Sequence, residues 1–258
     1  MGASANRLFA GRYVLDVQIS DRYQVTTWRA FDQSLNRWVS LLLLPIEDER
    51  CERLIAQSEK AAGIDSRGAV AVLDVIHDDT LVSATNPDLS MRFVGVVSEW
   101  IEGHTLHHYL SVSDEAFPME QALKVCRSLA MTLHQAHRNG IVHGRLTDRN
   151  VIFADSGETR ITDFGTALAL TNTDELATTQ TDIKALGTLL FQMLVGPWSA
   201  SSNRPADQTT ESKITLPSQF RSGLTASVDH LYAGTQQGAF RTMQQLLEAF
   251  SVELANLS

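Results

Sequence analysis

Leu133-His134-Gln135-Ala136-His137-Arg138-Asn139-Gly140-Ile141-Val142-His143-Gly144-Arg145-Leu146-Thr147-Asp148-Arg149-Asn150, followed further on by Asp163-Phe164-Gly165, is the stretch that decides how this chain folds. Its first part completes a stripe of apolar residues at 119, 122, 123, 126, 129, 130 and 133. That is the spacing of one helical face, so the pattern predicts a helix over Met119–His137, with Pro118 as its start signal and Gly140 as its stop. Toward the C-terminus, Thr181-Asp182 opens a second helix, Ile183 to Val195, with Thr181 as its N-cap. It is apolar almost all round, so it should be buried, and Gly196-Pro197 stops it. Ala200 to Pro217, rich in Ser, Thr, Asn and Pro, reads as a loop, and a last amphipathic helix is expected over about Thr242 to Leu254. Toward the N-terminus the period shortens. Arg12 to Leu44 reads as several strands, Ile46 to Gly63 as a charged helix, and Val70–Val75 and Phe93–Trp100 as apolar strands.

The bulk numbers narrow the function classes. A chain of 258 residues suffices for one large domain or two small lobes. A net charge of −9 argues against a nucleic-acid or anionic-membrane surface, each of which needs an excess of basic side chains. Cys51 and Cys126 form no CxxC pair, and two reduced thiols fit a cytosolic protein. No apolar run approaches the length that spans a bilayer, so direct membrane insertion is not expected. There is no internal repeat.

Taken together, the motifs resemble the Hanks-type Ser/Thr protein kinases of actinobacteria and other bacteria. Arg12-Tyr13-Val14-Leu15 looks like the family's opening strand, and Val39-Ser40-Leu41-Leu42 falls on its VAxK-like strand. Glu99-Trp100-Ile101-Glu102-Gly103 resembles the hinge, with Thr105-Leu106 opening the next helix. His143 lies where the catalytic-loop His stands, Asn150 on the metal-binding Asn, Asp163-Phe164-Gly165 on the DFG motif, and Asp182 on the acid that opens the buried helix. The resemblance implies an α+β, bilobal fold: a tail over 1–11, a β-rich N-lobe with one helix over 12–102, and a mainly helical C-lobe over 103–258.

Against that family, several pieces of the phosphoryl-transfer apparatus are replaced, and the fold reads as degenerate. The strand lysine maps to Leu42 and its partner acid to Gln57, with Glu59 as the alternative. The Gly-rich loop maps to Ser20-Asp21-Arg22-Tyr23, and no glycine lies between Gly11 and Gly63. The catalytic Asp maps to Arg145, whose guanidinium cannot accept a proton, and the loop lysine to Thr147; Asp148 is the nearby carboxylate. The segment from Asp163 to Asp182 is short and has no APE-like triplet, so Arg241 loses its expected partner. Thr27 and Ser40 fall where adenine is sandwiched, and Ser98 at the gatekeeper position.

These replacements lead to the expectation of a pseudokinase, not an enzyme, acting as a regulatory scaffold. It resembles the cytoplasmic pseudokinase domains linked to MviN-type lipid II flippases and peptidoglycan control. The chain is expected to be cytoplasmic, either by itself or as part of a larger membrane protein. Expected partners are a forkhead-associated domain protein or a Ser/Thr kinase, not nucleic acid. No cofactor is expected: Asn150 and Asp163 retain oxygen donors that suit magnesium and a nucleotide, but the missing lysine and glycines weigh against ATP. His143, Phe164, Gly165 and Asp182 are expected to be structural. The histidines at 104, 107, 108, 134 and 137 lack a completing carboxylate or Cys, so no metal site is assigned. Thr178, Thr179 and Thr181 lie in a polar, threonine-rich stretch that suits phosphorylation, although an ordinary solvated loop, with Thr181 as a helix N-cap, is the simpler reading. The alternative is an atypical phosphotransferase with rearranged residues, since His143-Gly144 also resembles the HGD motif of small-molecule phosphotransferases.

Overall fold

A computed structural model describes residues 7–22, 24–82, 90–113, 115–170, 177–196 and 214–257. By internal contacts the chain divides into two compact units. The smaller comprises Met1–Ile64, Val70–Glu102 and Phe164–Asn172, and the larger Asp65–Ala69, Gly103–Asp163 and Thr173–Ser258.

In the smaller unit six antiparallel strands form one sheet in the order β1-β2-β3-β4-β6-β5. They are β1 (Arg7–Phe9), β2 (Tyr13–Arg22), β3 (Val25–Asp32), β4 (Arg37–Pro45), β5 (Val72–Val82) and β6 (Ser90–Glu99). Alternation along β4 explains its place in the sheet. Val39, Leu41 and Leu43 enter one core with Phe9, Tyr13, Leu15, Ala30 and Val97. Leu44 enters a second core with Val25, Leu54, Val94 and Val96, against which Leu42 also packs. The only helix placed between β4 and β5 is α1 (Cys51–Ala61), shorter than the expected Ile46–Gly63 because Ile46 to Arg50 are spent on a turn. The expected N-terminal tail needs correction: Arg7–Phe9 pairs with β2, and Phe9 is fully buried against Gly95.

The larger unit is mainly helical. Thr105 caps α2 (Leu106–Val112), accepting a bond from the His108 amide. The central helix is α3 (Met119–Arg138), and α5 (Thr179–Val195) packs against it as a buried helix. The C-terminal pair is α6 (Ala226–Gln237) and α7 (Met243–Leu257). A small sheet of β7 (Gly103–Thr105), β8 (Val151–Ala154) and β9 (Thr159–Ile161) flanks the loop between α3 and β8. Residues 65–69 depart from the expected division at 102/103. The Ile161 amide donates to Gly68 O at 2.7 Å, and Ala69 bridges Ile161, which ties this short segment to the larger unit. Among the described residues no helix is long and apolar enough to cross a membrane.

The β2–β3 hairpin is anchored at its far end by Asp32. Its fully buried carboxylate accepts from Arg12 Nε and Nη2, both at 2.7 Å, and from the amides of Ser34 and Leu35. The Arg12 hydrogen bonds hold this carboxyl down at about 2. Because the folded-state value lies below the unfolded one, the stabilisation is present at neutral pH. It is lost as pH falls from the ordinary carboxylate range through about 2. Asp32→Asn is therefore expected to cost about 2 kcal/mol at pH 7. It should also flatten the fall in stability over that acid window, as read by urea unfolding at a series of pH values.

Candidate functional site

In the larger unit the loop His143–Asn150 is built around a buried carboxylate. Asp182, in the first turn of α5, is fully buried and accepts from the amides of His143 (2.9 Å) and Gly144 (2.8 Å) and from His137 Nε2 on α3 (2.7 Å). His143, also fully buried, is fixed as a single tautomer. Its Nε2 donates to Thr162 O (3.0 Å) and its Nδ1 accepts from the Arg145 amide (3.3 Å). The loop is thus clamped from α5, α3 and the chain beyond β9.

The polar residues the sequence pointed to then fall into two groups. Thr147 is the N-cap of a 3-10 turn over Asp148–Asn150, and its amide and hydroxyl both donate to Asn150 Oδ1 (3.1 and 2.9 Å). Asn150 Nδ2 donates to Asp163 Oδ2 at 2.7 Å. So Asn150 spends its carbonyl on the loop and its amide on Asp163, which makes it a positioner of that carboxylate. Asp163 itself is exposed and sits in the left-handed region at φ 66°, a conformation Asp tolerates better than most residues. The second group is charged. Arg145 and Arg149 are exposed, whereas Asp148 Oδ2 is paired with His107 Nδ1 on α2 at 2.8 Å. No signal in the sequence announces this last pairing, because nothing in a linear pattern brings α2 to the loop.

In the smaller unit Leu42 is half-buried on the face of β4 that it shares with Ser40 and Leu44. Ser40 lies directly across from Ser98 on β6, and Thr27 across from Leu42. Asp21 and Arg22 extend β2 to a hairpin that closes at the Arg22–Val25 pair with Gln24 at φ 67°; Tyr23 lies outside the described residues. Gln57 presents its backbone carbonyl to Gly165, at which a Cβ would come within 2.4 Å of that oxygen, so only glycine fits. Glu59 is exposed and bonded to His77 on β5 (3.0 Å). Phe164 is buried in this unit, and Thr166–Ala169 form a one-turn helix, α4.

The threonines are placed at the start of α5. The N-cap is Thr178, not Thr181. Thr181 is the third helical residue, and its hydroxyl accepts from the Thr178 amide at 3.2 Å. Thr179 begins the helix. Asp174 and Glu175, and most of the expected loop over 200–217, lie outside the described residues. Of the histidines, His104 and His108 stack at 4.4 Å, and His107 and His137 are each paired with an Asp.

A family model described as protein tyrosine and serine/threonine kinase matches residues 57–188, just over half of the chain. The chain is 26% identical over 212 residues to the serine/threonine-protein kinase PrkC of Bacillus subtilis, which covers 72% of this chain and 31% of that protein. It is 25% identical over 254 residues to the serine/threonine-protein kinase PknL of Mycobacterium tuberculosis, covering 88% of this chain and 60% of PknL. It thus spans about a third of PrkC and less than two thirds of PknL. The PknI kinase domain of Mycobacterium tuberculosis superposes with a TM-score of 0.73 at 18% identity, over 97% of this chain and 99% of that one. The fold is therefore protein-kinase-like, a β-rich smaller unit and a helical larger one.

These findings overturn the expectation that the chain is not an enzyme: the family model is a kinase model, and the relatives are named serine/threonine-protein kinases. The expectation treated each replaced residue as a lost reaction. Phosphoryl transfer is mostly positioning and charge neutralisation, so a single replaced side chain does not by itself decide activity.

Replacing the loop's anchor tests the geometry. Asp182→Asn puts an NH2 group against one of three donors. It is expected to cost about 3 kcal/mol of stability and to speed hydrogen exchange at the His143 and Gly144 amides well beyond any change in α3 and α5, as followed by mass spectrometry.

Proposed function

The chain belongs to the protein tyrosine and serine/threonine kinase family, and from that premise we propose that it transfers the terminal phosphoryl group of a nucleoside triphosphate to a hydroxyl group through a loop with rearranged charges. The observation that carries this reading is the Asn150–Asp163 pair, a 2.7 Å bond that aims an exposed carboxylate. That carboxylate fits a hydrated magnesium ion, which takes one or two carboxylates and keeps several waters. With a nucleotide bound, magnesium would supply neutralisation of phosphate charge, and Asn150 would orient Asp163 to hold it.

The rest is the work of the loop. Leu42 offers no cation to phosphate oxygens. Arg145 and Arg149 are exposed on the loop itself, and a guanidinium presents paired N–H donors to phosphate. Asp148 is the loop's carboxylate and takes the proton of the acceptor hydroxyl, with His107 holding its other contact. A loose transition state asks little of that base and much of the charges around it.

The names of the relatives support a protein hydroxyl as acceptor. Thr178, Thr179 and Thr181 are proposed phosphoacceptors. A phosphate there would lie at the N-terminus of α5, where free amides favour negative charge, and would suit a forkhead-associated partner. A regulatory, protein-binding role in peptidoglycan synthesis rests on the sequence resemblance alone.

Thermal unfolding with millimolar ATP and Mg²⁺ is the first test. A ligand that binds the folded state raises the melting temperature by mass action, here by several degrees. Asp163→Asn is expected to abolish the metal-dependent rise and leave the ligand-free melting temperature nearly unchanged, because the carboxylate is exposed. No rise in the unsubstituted protein with ATP, GTP, Mg²⁺ or Mn²⁺ would sink the reading.

A further inference from the structure

A groove runs along α3 on a side of the helix that the fold leaves open. Residues recurring every three or four positions, from Gln121 through Lys124, Ser128 and Met131 to Gln135, share one side of the helix and line a cavity of about 670 Å³. That stripe is about 21 Å long, the reach of about six residues of extended chain. Its floor is Val125 and Thr132, both buried. One wall is the segment Asp65–Gly68, which rests directly on the helix. A Cβ on Gly68 would stand 1.8 Å from Thr132 Oγ1, so a larger residue would push the segment away. The other wall is Gly157–Thr159, at the β8–β9 turn. It is tied to the first through the bond from the Ile161 amide to Gly68 O. All of these residues belong to the larger unit.

The chemistry of the lining selects an occupant. Its charges cancel, with Arg67 and Lys124 against Asp65 and Glu158. Lys124 is already paired with Glu120 (2.6 Å) and Glu158 with Arg160 (3.8 Å), which leaves Arg67 and Asp65, two positions apart. A groove of no net charge gives an acidic or basic strand no advantage over an uncharged one. Among the described residues no aromatic ring lines it, so a flat ring finds no stacking partner there. What the groove offers is hydrogen bonding. Among the described residues the side chains of Ser66, Gln121 and Gln135 bond to no protein group. A side-chain amide carries the donor and acceptor of a peptide unit and can pair with one at both. Met131, 46% exposed, adds with Val125 one adaptable apolar contact. We propose that this groove binds an extended, uncharged segment of a partner protein, about six residues rich in Ser, Thr, Asn or Gln, with one aliphatic side chain seated on Val125 and Met131. The site shares no residue with the His143–Asn150 loop and stands without the phosphotransfer reading. Its walls are fixed by their own backbone bonds, so binding orders little of the protein.

Mixtures of acetylated, amidated hexapeptides test this on the full chain. One mixture draws on Ser, Thr, Asn and Gln with a single Leu, Val or Met; a second carries Glu at several of the polar positions, and a third Lys. Affinity selection read by mass spectrometry is expected to enrich the uncharged mixture about fivefold over either charged one. The best sequence is expected to bind with a Kd on the order of 100 μM, because its polar contacts replace contacts with water. Its amide NMR shifts should concentrate at residues 65–68, 121–135 and 157–159. Ser128→Trp fills the groove and is expected to weaken binding about tenfold or more. Gln121→Ala with Gln135→Ala changes only exposed side chains on a helix that tolerates alanine, and is expected to weaken it about fivefold. Should Ser128→Trp fail to fold, the double variant still reports. No enrichment of the uncharged mixture, preference for an acidic or basic one, or shifts centred elsewhere would overturn the proposal. Undiminished binding by the double variant would overturn it too, since the two amides would then recognise nothing.

Discussion

Asp182 is the interaction on which the larger unit's chemistry depends. A carboxylate removed from water is costly unless it is hydrogen-bonded, and here three donors bind its two oxygens. Two of those donors are successive backbone amides of the loop, so the loop cannot shift without stranding a buried charge. The third, His137, brings in α3. One side chain thereby joins two helices and the loop, and the groups at 145, 148, 149 and 150 inherit their positions from a buried residue.

Much of the fold was legible because it is written in period. The stripe from Met119 to Leu133 and the all-round apolar run from Ile183 to Val195 became α3 and α5 with small changes at their ends. The family resemblance was legible from order and spacing. Less was legible where pairing is long-range. Arg7–Phe9 is too short and mixed to announce itself as a strand, and Phe9 is buried by long-range packing in the first core and against Gly95. The N-cap of α5 moved from Thr181 to Thr178 because both are threonines at helical spacing, and only the bond between them distinguishes cap from partner. The Asp148–His107 pair, 41 positions apart, left no trace in any local pattern.

Reading single positions was the weaker method for activity. Leu42 and Arg145 are large changes when each is compared with the residue it replaces. In the structure Leu42 packs on the core shared by β4 and α1, and Arg145 is exposed on the loop.

The chain passes between its two units at 64/65, 69/70, 102/103, 163/164 and 172/173, so the units are interleaved and not strung in series. That has a practical side for anyone dissecting the molecule. A fragment starting at Gly103 would lose Gly68, whose carbonyl accepts the Ile161 amide, and Ala69, whose carbonyl accepts from Arg160. A fragment ending at Glu102 would lose Ala169 from the core beneath α1. Each piece loses contacts that its own unit uses, and evolution would find this fold easier to alter residue by residue than to cut, swap or shuffle as halves.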